Sequence, residues 1–139
     1  MQKVLVVIDM QNDFVDGALG STQAQMIVDN VRKKIESFDG PIIFTRDTHG
    51  IDYLEHQEGK MLPVPHCVKN TEGWHIVKGL IEAAEGRPIM SPVSFIDKPN
   101  FGSFELLSRL EGMNSVNPIE SITLVGLCTD ICVVSNAII

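Results

Sequence analysis

Apolar residues come along this chain in short β-branched runs, separated by longer segments with helical spacing. Residues 3–8 are a Val/Ile/Leu run closed by Asp9, and residues 121–125 are a second such run closed by Gly126. Continuous apolar runs of this length predict strands buried on both faces of a parallel sheet. Residues 41–45 predict another strand, with Arg46-Asp47-Thr48-His49 at its carboxyl end. Residues 89–95 predict a weaker one, which Pro92 interrupts and so assigns to an edge or an irregular segment. Between the first two strands, Ala24, Ile27, Val28, Val31 and Ile35 recur at helical spacing behind a capping box of Thr22 and Gln25. Arg32, Lys33 and Lys34 lie late in that helix, where its dipole favours cations, and Asp39-Gly40-Pro41 ends it. Residues 74–84 predict a short helix ending at Gly86, and Ser103 caps a third with Leu106, Leu107 and Leu110 on its buried face. Strand, helix and strand in that order imply right-handed crossovers and a parallel sheet. Residues 47–73 carry no periodicity, and a loop this long in a compact domain is usually functional or disordered. It holds all but one of the four histidines.

The last apolar strand leads into the chemistry. Leu127-Cys128-Thr129-Asp130-Ile131-Cys132 reads as a tight turn, with Thr129 and Asp130 as N-cap residues of a following helix. Cys132 then falls in the first turn of a helix, past the carboxyl end of a strand, where open α/β sheets keep their ligand crevice. The partial positive charge there favours the thiolate, a nucleophile. Cys132 also reads as one more cysteine buried on an apolar helix face.

Composition narrows the classes. The 139 residues suit one domain, residues 1–139, with 44% hydrophobic and 21% charged residues. A net charge of −7 argues against nucleic acid, whose phosphates are held by clustered Lys and Arg. No apolar run is long enough to span a membrane. The first strand lacks the cleavage pattern of a signal peptide, and three cysteines without scaffold spacing fit a reducing compartment, so a cytoplasmic location is expected. The apolar tail Ala137-Ile138-Ile139, without a C-cap signal, reads as a fragment of a longer chain.

Three reactive groups follow predicted strand ends: Asp9, Lys98 and Cys132. A cysteine nucleophile needs a base, which a partly desolvated carboxylate becomes once its pKa is raised. A nearby lysine favours the thiolate and stabilises charge developing on a substrate. Taken singly, Asp9 is as well explained as a turn residue and Lys98 as a solvated loop charge.

Three segments give a more specific indication. Ile-Asp-Met-Gln-Asn-Asp-Phe at residues 8–14, Lys-Pro-Asn-Phe-Gly-Ser-Phe at residues 98–104, and Val-Gly-Leu-Cys-Thr-Asp-Ile-Cys-Val at residues 125–133 resemble the signature segments of the isochorismatase-like cysteine hydrolases. That family includes nicotinamidase/pyrazinamidase, other amidases and isochorismatase. The resemblance implies a Rossmann-like, three-layer α/β/α fold with a mostly parallel sheet, C-terminally truncated here. It implies an amidase that cleaves the C–N bond of a small carboxamide through a thioester on Cys132, with Asp9 as base and later acid and Lys98 stabilising. A cis peptide at Leu127-Cys128 would aim the N–H groups of Cys128 and Cys132 at the oxyanion. Phe14 would pack on the substrate ring, with Asn12 ordering its loop. Specificity is expected to lie in loop contacts such as Phe14, Trp74 and residues 47–73.

Asp47, His49, His56 and His66 have the residue types of the nicotinamidase metal site at altered spacing, and suit Zn²⁺ or a similar divalent ion. The triad chemistry itself requires no cofactor, and many amidases of the family bind no metal. His66, in a family-like Pro-x-His-Cys segment, alternatively orders its loop. Family members often assemble, so a homo-oligomer is expected. Two other readings remain: an isochorismatase-type vinyl-ether hydrolase, which needs no thiol, and a non-catalytic member that keeps the fold.

Overall fold

The computed structural model describes residues 1–50, 52, 64–88, 92–98 and 104–127. Strand β1, Gln2–Ile8, is followed by a one-turn helix α1, Asn12–Val15, and by helix α2, Thr22–Ser37. Next come strand β2, Ile42–Asp47, a 3₁₀ turn at Glu72–Trp74 and helix α3, Lys78–Glu85. Strand β3, Val93–Lys98, helix α4, Phe104–Val116, and strand β4, Ile119–Gly126, complete the described elements.

The strands form a parallel sheet in the order β3-β2-β1-β4. β1 is therefore interior, as its unbroken apolar run requires, and Val4 to Ile8 are fully buried. Its side chains alternate between faces. Leu5 and Val7 join Ile42 and Phe44 beneath α2 (Val31, Ile35) and α3 (Leu80, Ala84). Val4, Val6 and Ile8 join Ile43 and Ile96 beneath Leu106 of α4. The result is three layers, α/β/α. The chain builds outward from β1 through β2 to β3, then returns to place β4 on the other side of β1. With right-handed crossovers, that reversal moves the connecting helix to the opposite face, and it opens a crevice at the carboxyl ends of β1 and β4. No helix among the described residues is long and apolar enough to cross a membrane.

Local details depart from expectation for physical reasons. Ser21, not Thr22, caps α2, its Oγ accepting the Ala24 N–H at 3.0 Å. The weak strand starts after Pro92, whose missing N–H cannot join a ladder but whose carbonyl accepts from Ile42 N–H. It then runs on to Lys98, so the lysine is the strand's last residue and not a loop residue. The helix expected from Trp74 is split, because Trp74 ends a 3₁₀ turn and α3 begins only at Lys78. The loop after Asp9 contains α1. The Ser103 cap and the helix expected from Asp130 lie outside the described residues.

Candidate active site

The strand register brings the chemistry together. Ile8 pairs with Thr45 and with Gly126, and Asp47 pairs with Lys98. β1 and β4 therefore end level, β2 and β3 run two residues further, and Asp9, Asp47 and Lys98 come together at the carboxyl end of the sheet. Gly126 makes the closest approach possible. Its φ is +140°, and a Cβ there would lie 2.1 Å from the Ile8 carbonyl oxygen. The Leu127 N–H, just beyond, donates to that same carbonyl at 3.1 Å.

Asp9 leaves β1 with φ of 54°, a left-handed conformation uncommon for a non-glycine residue and often found where a fold holds a functional side chain. Its carboxylate is completely buried. Lys98 Nζ donates to Oδ2 at 2.7 Å, and Thr45 Oγ1 donates to Oδ1 at 2.9 Å. Lys98 is also completely buried, an unusual condition that demands a partner. Asp9 and Lys98, far apart in sequence, thus form a fully buried ion pair at the carboxyl end of the sheet.

A second carboxylate lies beside the first. Asp47 ends β2, and its Oδ2 is 2.9 Å from His49 Nε2 and 3.3 Å from His66 Nε2. Burial pushes the Asp47 carboxyl up, but its contacts with His49 and His66 and the Lys98 charge outweigh burial and hold it well below the usual carboxylate range. His66 Nδ1 is 2.7 Å from the Val64 carbonyl, which can only accept. Nδ1 therefore carries a hydrogen, and the close contact of Nε2 with the carboxylate calls for a proton or a cation between them. Asp47 Oδ1 is buried with no hydrogen-bond partner. Ligand-capable atoms of Asp47, His49 and His66 all lie within 4.8 Å of one another. Nitrogen and oxygen donors, with a histidine fixed through its other nitrogen by a backbone carbonyl, fit a divalent ion such as Zn²⁺.

The third component is apolar. Phe14, Cys67 and Trp74 form a buried cluster, with Leu19 and Leu127 packed against it. Phe14 meets the His66 ring edge to face at 5.4 Å. Trp74 Nε1 donates to Thr48 Oγ1 at 3.0 Å, and the Arg46 guanidinium stacks on the indole at 4.3 Å. Asn12 sits at the rim, its Nδ2 donating to the Glu72 carbonyl at 2.9 Å. The Asp13 carboxylate takes the Cys67 N–H at 2.8 Å and leaves no room for a side chain at Gly73.

The structure therefore gathers Asp9, Lys98, Asp47, His49, His66, Phe14, Trp74 and Leu127 at one end of the sheet, with Asn12 at its rim. Cys132, Cys128, the Leu127-Cys128 peptide and His56 lie outside the described residues. Sequence reasoning missed Thr45, whose only signal is a hydroxyl in an apolar strand. It also gave no role to Gln11, Asp13, Arg46 or Thr48, which act through partners distant in sequence.

The isochorismatase domain model matches residues 3–138. The chain belongs to the isochorismatase family. It is a hydrolase of that family, and solved relatives share its architecture. The nicotinamidase/pyrazinamidase PncA of Bacillus subtilis is 31% identical with a TM-score of 0.84, the match covering 99% of this chain and 78% of that one. The N-carbamoylsarcosine amidase of Thermoplasma acidophilum is 26% identical with a TM-score of 0.76, covering 99% and 75%. The pyrazinamidase of Pyrococcus horikoshii, crystallised in complex with zinc, is 26% identical with a TM-score of 0.71, covering 99% and 77%.

Proposed function

We propose that this isochorismatase-family hydrolase cleaves the C–N bond of a small aromatic carboxamide. The observation that carries the reading is the buried pair Asp9–Lys98 at 2.7 Å, set at the carboxyl end of the sheet, the end at which β4 leads on in sequence toward Cys132. A buried ion pair is an inefficient way to stabilise a fold and a useful way to hold a base and a cation ready.

In this scheme Asp9 takes the proton of the Cys132 thiol, and the thiolate attacks the amide carbon. The N–H groups of Cys128 and Cys132 receive the charge that develops on the carbonyl oxygen. The C–N bond breaks as Asp9 returns the proton to the leaving nitrogen, which departs as ammonia, while the acyl group stays on sulfur. Water then attacks the thioester, giving its proton to Asp9, and the carboxylic acid leaves as the thiol is restored. Lys98 keeps Asp9 charged at the start of each half-reaction and favours the thiolate. Phe14 and Trp74 supply flat apolar surface for a ring, and Asn12 orders the loop that carries Phe14. The relatives named as nicotinamidase, pyrazinamidase and carbamoylsarcosine amidase support an amide substrate.

Asp47, His49 and His66, with His56 as a fourth ligand, would hold the divalent ion. When bound, it supplies a Lewis acid beside the substrate site. The test is ammonia release from nicotinamide and a panel of small amides by this chain and by Cys132→Ala. Release by the parent that disappears in the variant is the expected result. No release from any amide would remove the amidase reading, and turnover of a vinyl ether in its place would favour the isochorismatase-type reaction.

A further inference from the structure

Gln11 has no part in the hydrolysis scheme, yet it is completely buried and uses its whole amide. Nε2 donates to the Asp47 carbonyl at 2.8 Å and to the Trp74 carbonyl at 2.8 Å. Oε1 accepts the Asp47 N–H at 2.8 Å. The amide orientation follows from its neighbours, because two carbonyls can only accept and a peptide N–H can only donate. Gln11 thus grips both polar groups of the Asp47 backbone where β2 ends, as a neighbouring strand would. With its remaining donor it holds the backbone of Trp74, and its own backbone bridges Ile76. The clamp thus holds the backbones of Asp47 and Trp74 together.

We propose that Gln11 is a positioning residue through which the metal site and the aromatic wall of the substrate pocket share one determinant. One amide sets where Asp47 stands relative to His49 and His66, and also where Trp74 stands relative to Phe14. This rests on the preceding reading of Asp47, His49 and His66 as metal holders and of Trp74 as pocket wall. Removing the two donors strands two carbonyls away from water, and the end of β2 and the Glu72–Trp74 turn are then free to part.

Trp74 is the chain's single tryptophan, so intrinsic fluorescence reports this wall alone. The experiment uses the full chain, stripped of metal, in a Cys132→Ala background that binds without turnover. Gln11→Glu keeps the acceptor and removes both donors, and Gln11→Met keeps the volume and removes all three bonds. In both variants Zn²⁺ affinity by calorimetry is expected to fall about 10–100-fold, the usual cost of losing a group that orients a metal ligand. Nicotinamide affinity, read from Trp74 emission, should fall in parallel. Thr48→Val, which releases the indole N–H and the hydroxyl's own bond to the Arg46 carbonyl but leaves the Gln11 clamp intact, should weaken nicotinamide and leave Zn²⁺ affinity unchanged. A folded Gln11 variant in which either affinity stays at the parent value overturns the shared determinant. If neither variant folds, the parent decides: Trp74 emission must change as Zn²⁺ saturates the site, and a flat signal overturns the proposal. A parent that takes up no Zn²⁺ refutes the metal reading instead, and the Gln11 variants are then decided by nicotinamide affinity.

Discussion

Two sets of ion pairs in this molecule are alike in chemistry and opposite in setting. On α2, Arg32 reaches Asp29 at 2.5 Å and Glu36 at 2.8 Å, three and four residues away along one helix, with all three side chains well exposed. At the end of the sheet, Lys98 reaches Asp9 at 2.7 Å across 89 residues of sequence, with both side chains sealed from water. Hydrogen bonds to Arg32 and Lys33 lower the Asp29 carboxyl, but solvent and salt screen that pair and it stabilises little. The sealed pair is unscreened, so each charge acts strongly on the other, and Thr45 adds a hydrogen bond to Asp9. Helix spacing gives the first pair at almost no cost. Only the finished sheet creates the second, and its desolvation is tolerable where the charges have work to do.

Substitutions that break one partner separate the two settings. Lys98→Met should be the most severe, leaving the Asp9 carboxylate buried without its lysine. A loss of about 3–5 kcal/mol in urea unfolding is expected, together with loss of amide hydrolysis. A variant that keeps both would refute the reading of the pair.

Asp47→Asn comes next. Because the folded-state pKa of Asp47 is depressed, its contribution to stability is fully present above the unfolded carboxyl pKa of about 3.9. That contribution is lost as the pH falls toward the folded value. The gap in unfolding free energy between wild type and Asp47→Asn should therefore be widest near neutrality and close on acidification below about pH 4. A gap that widens in acid would reverse the sign of the argument. The same variant should lose Zn²⁺ uptake in a chelator competition.

Thr45→Val removes one donor from a buried carboxylate while keeping the side chain's shape. A loss of about 2 kcal/mol is expected, with slower amide hydrolysis as the Asp9 carboxylate loses a hydrogen bond that orients it. Thr45→Ser should recover both. Arg32→Ala should be the mildest, with a thermal midpoint close to wild type and unchanged hydrolysis. A midpoint drop as large as that of Thr45→Val would end the contrast between the settings.

What the sequence made legible follows the same division. The apolar run before Asp9 could be read as an interior strand because burial on both faces leaves no other pattern. The α2 stripe was equally plain, since its partners are neighbours in sequence. Asp9 and Lys98 stood out because each follows a predicted strand end and because their segments carry the resemblance, but their mutual distance was invisible without the register of β1, β2 and β3. Thr45 and Gln11 were illegible in role because both act through tertiary partners, and a lone Thr or Gln carries no periodic signal. The Ser21 cap was missed because adjacent hydroxyls are equivalent until one backbone takes the extended conformation at the helix start. The split at Trp74 was missed because the indole packs inward with Phe14 and Cys67, an anchor no helix propensity encodes.

Gly126 behaves as a spacer with zero thickness. Any methyl group added there meets the Ile8 carbonyl, so β4 must back away, and the residues that follow it are carried off with it. Alanine at this position would thus mistune the enzyme without touching a single group that donates, accepts or attacks. The tolerance of the reaction for misplacement is set by a side chain that is not there.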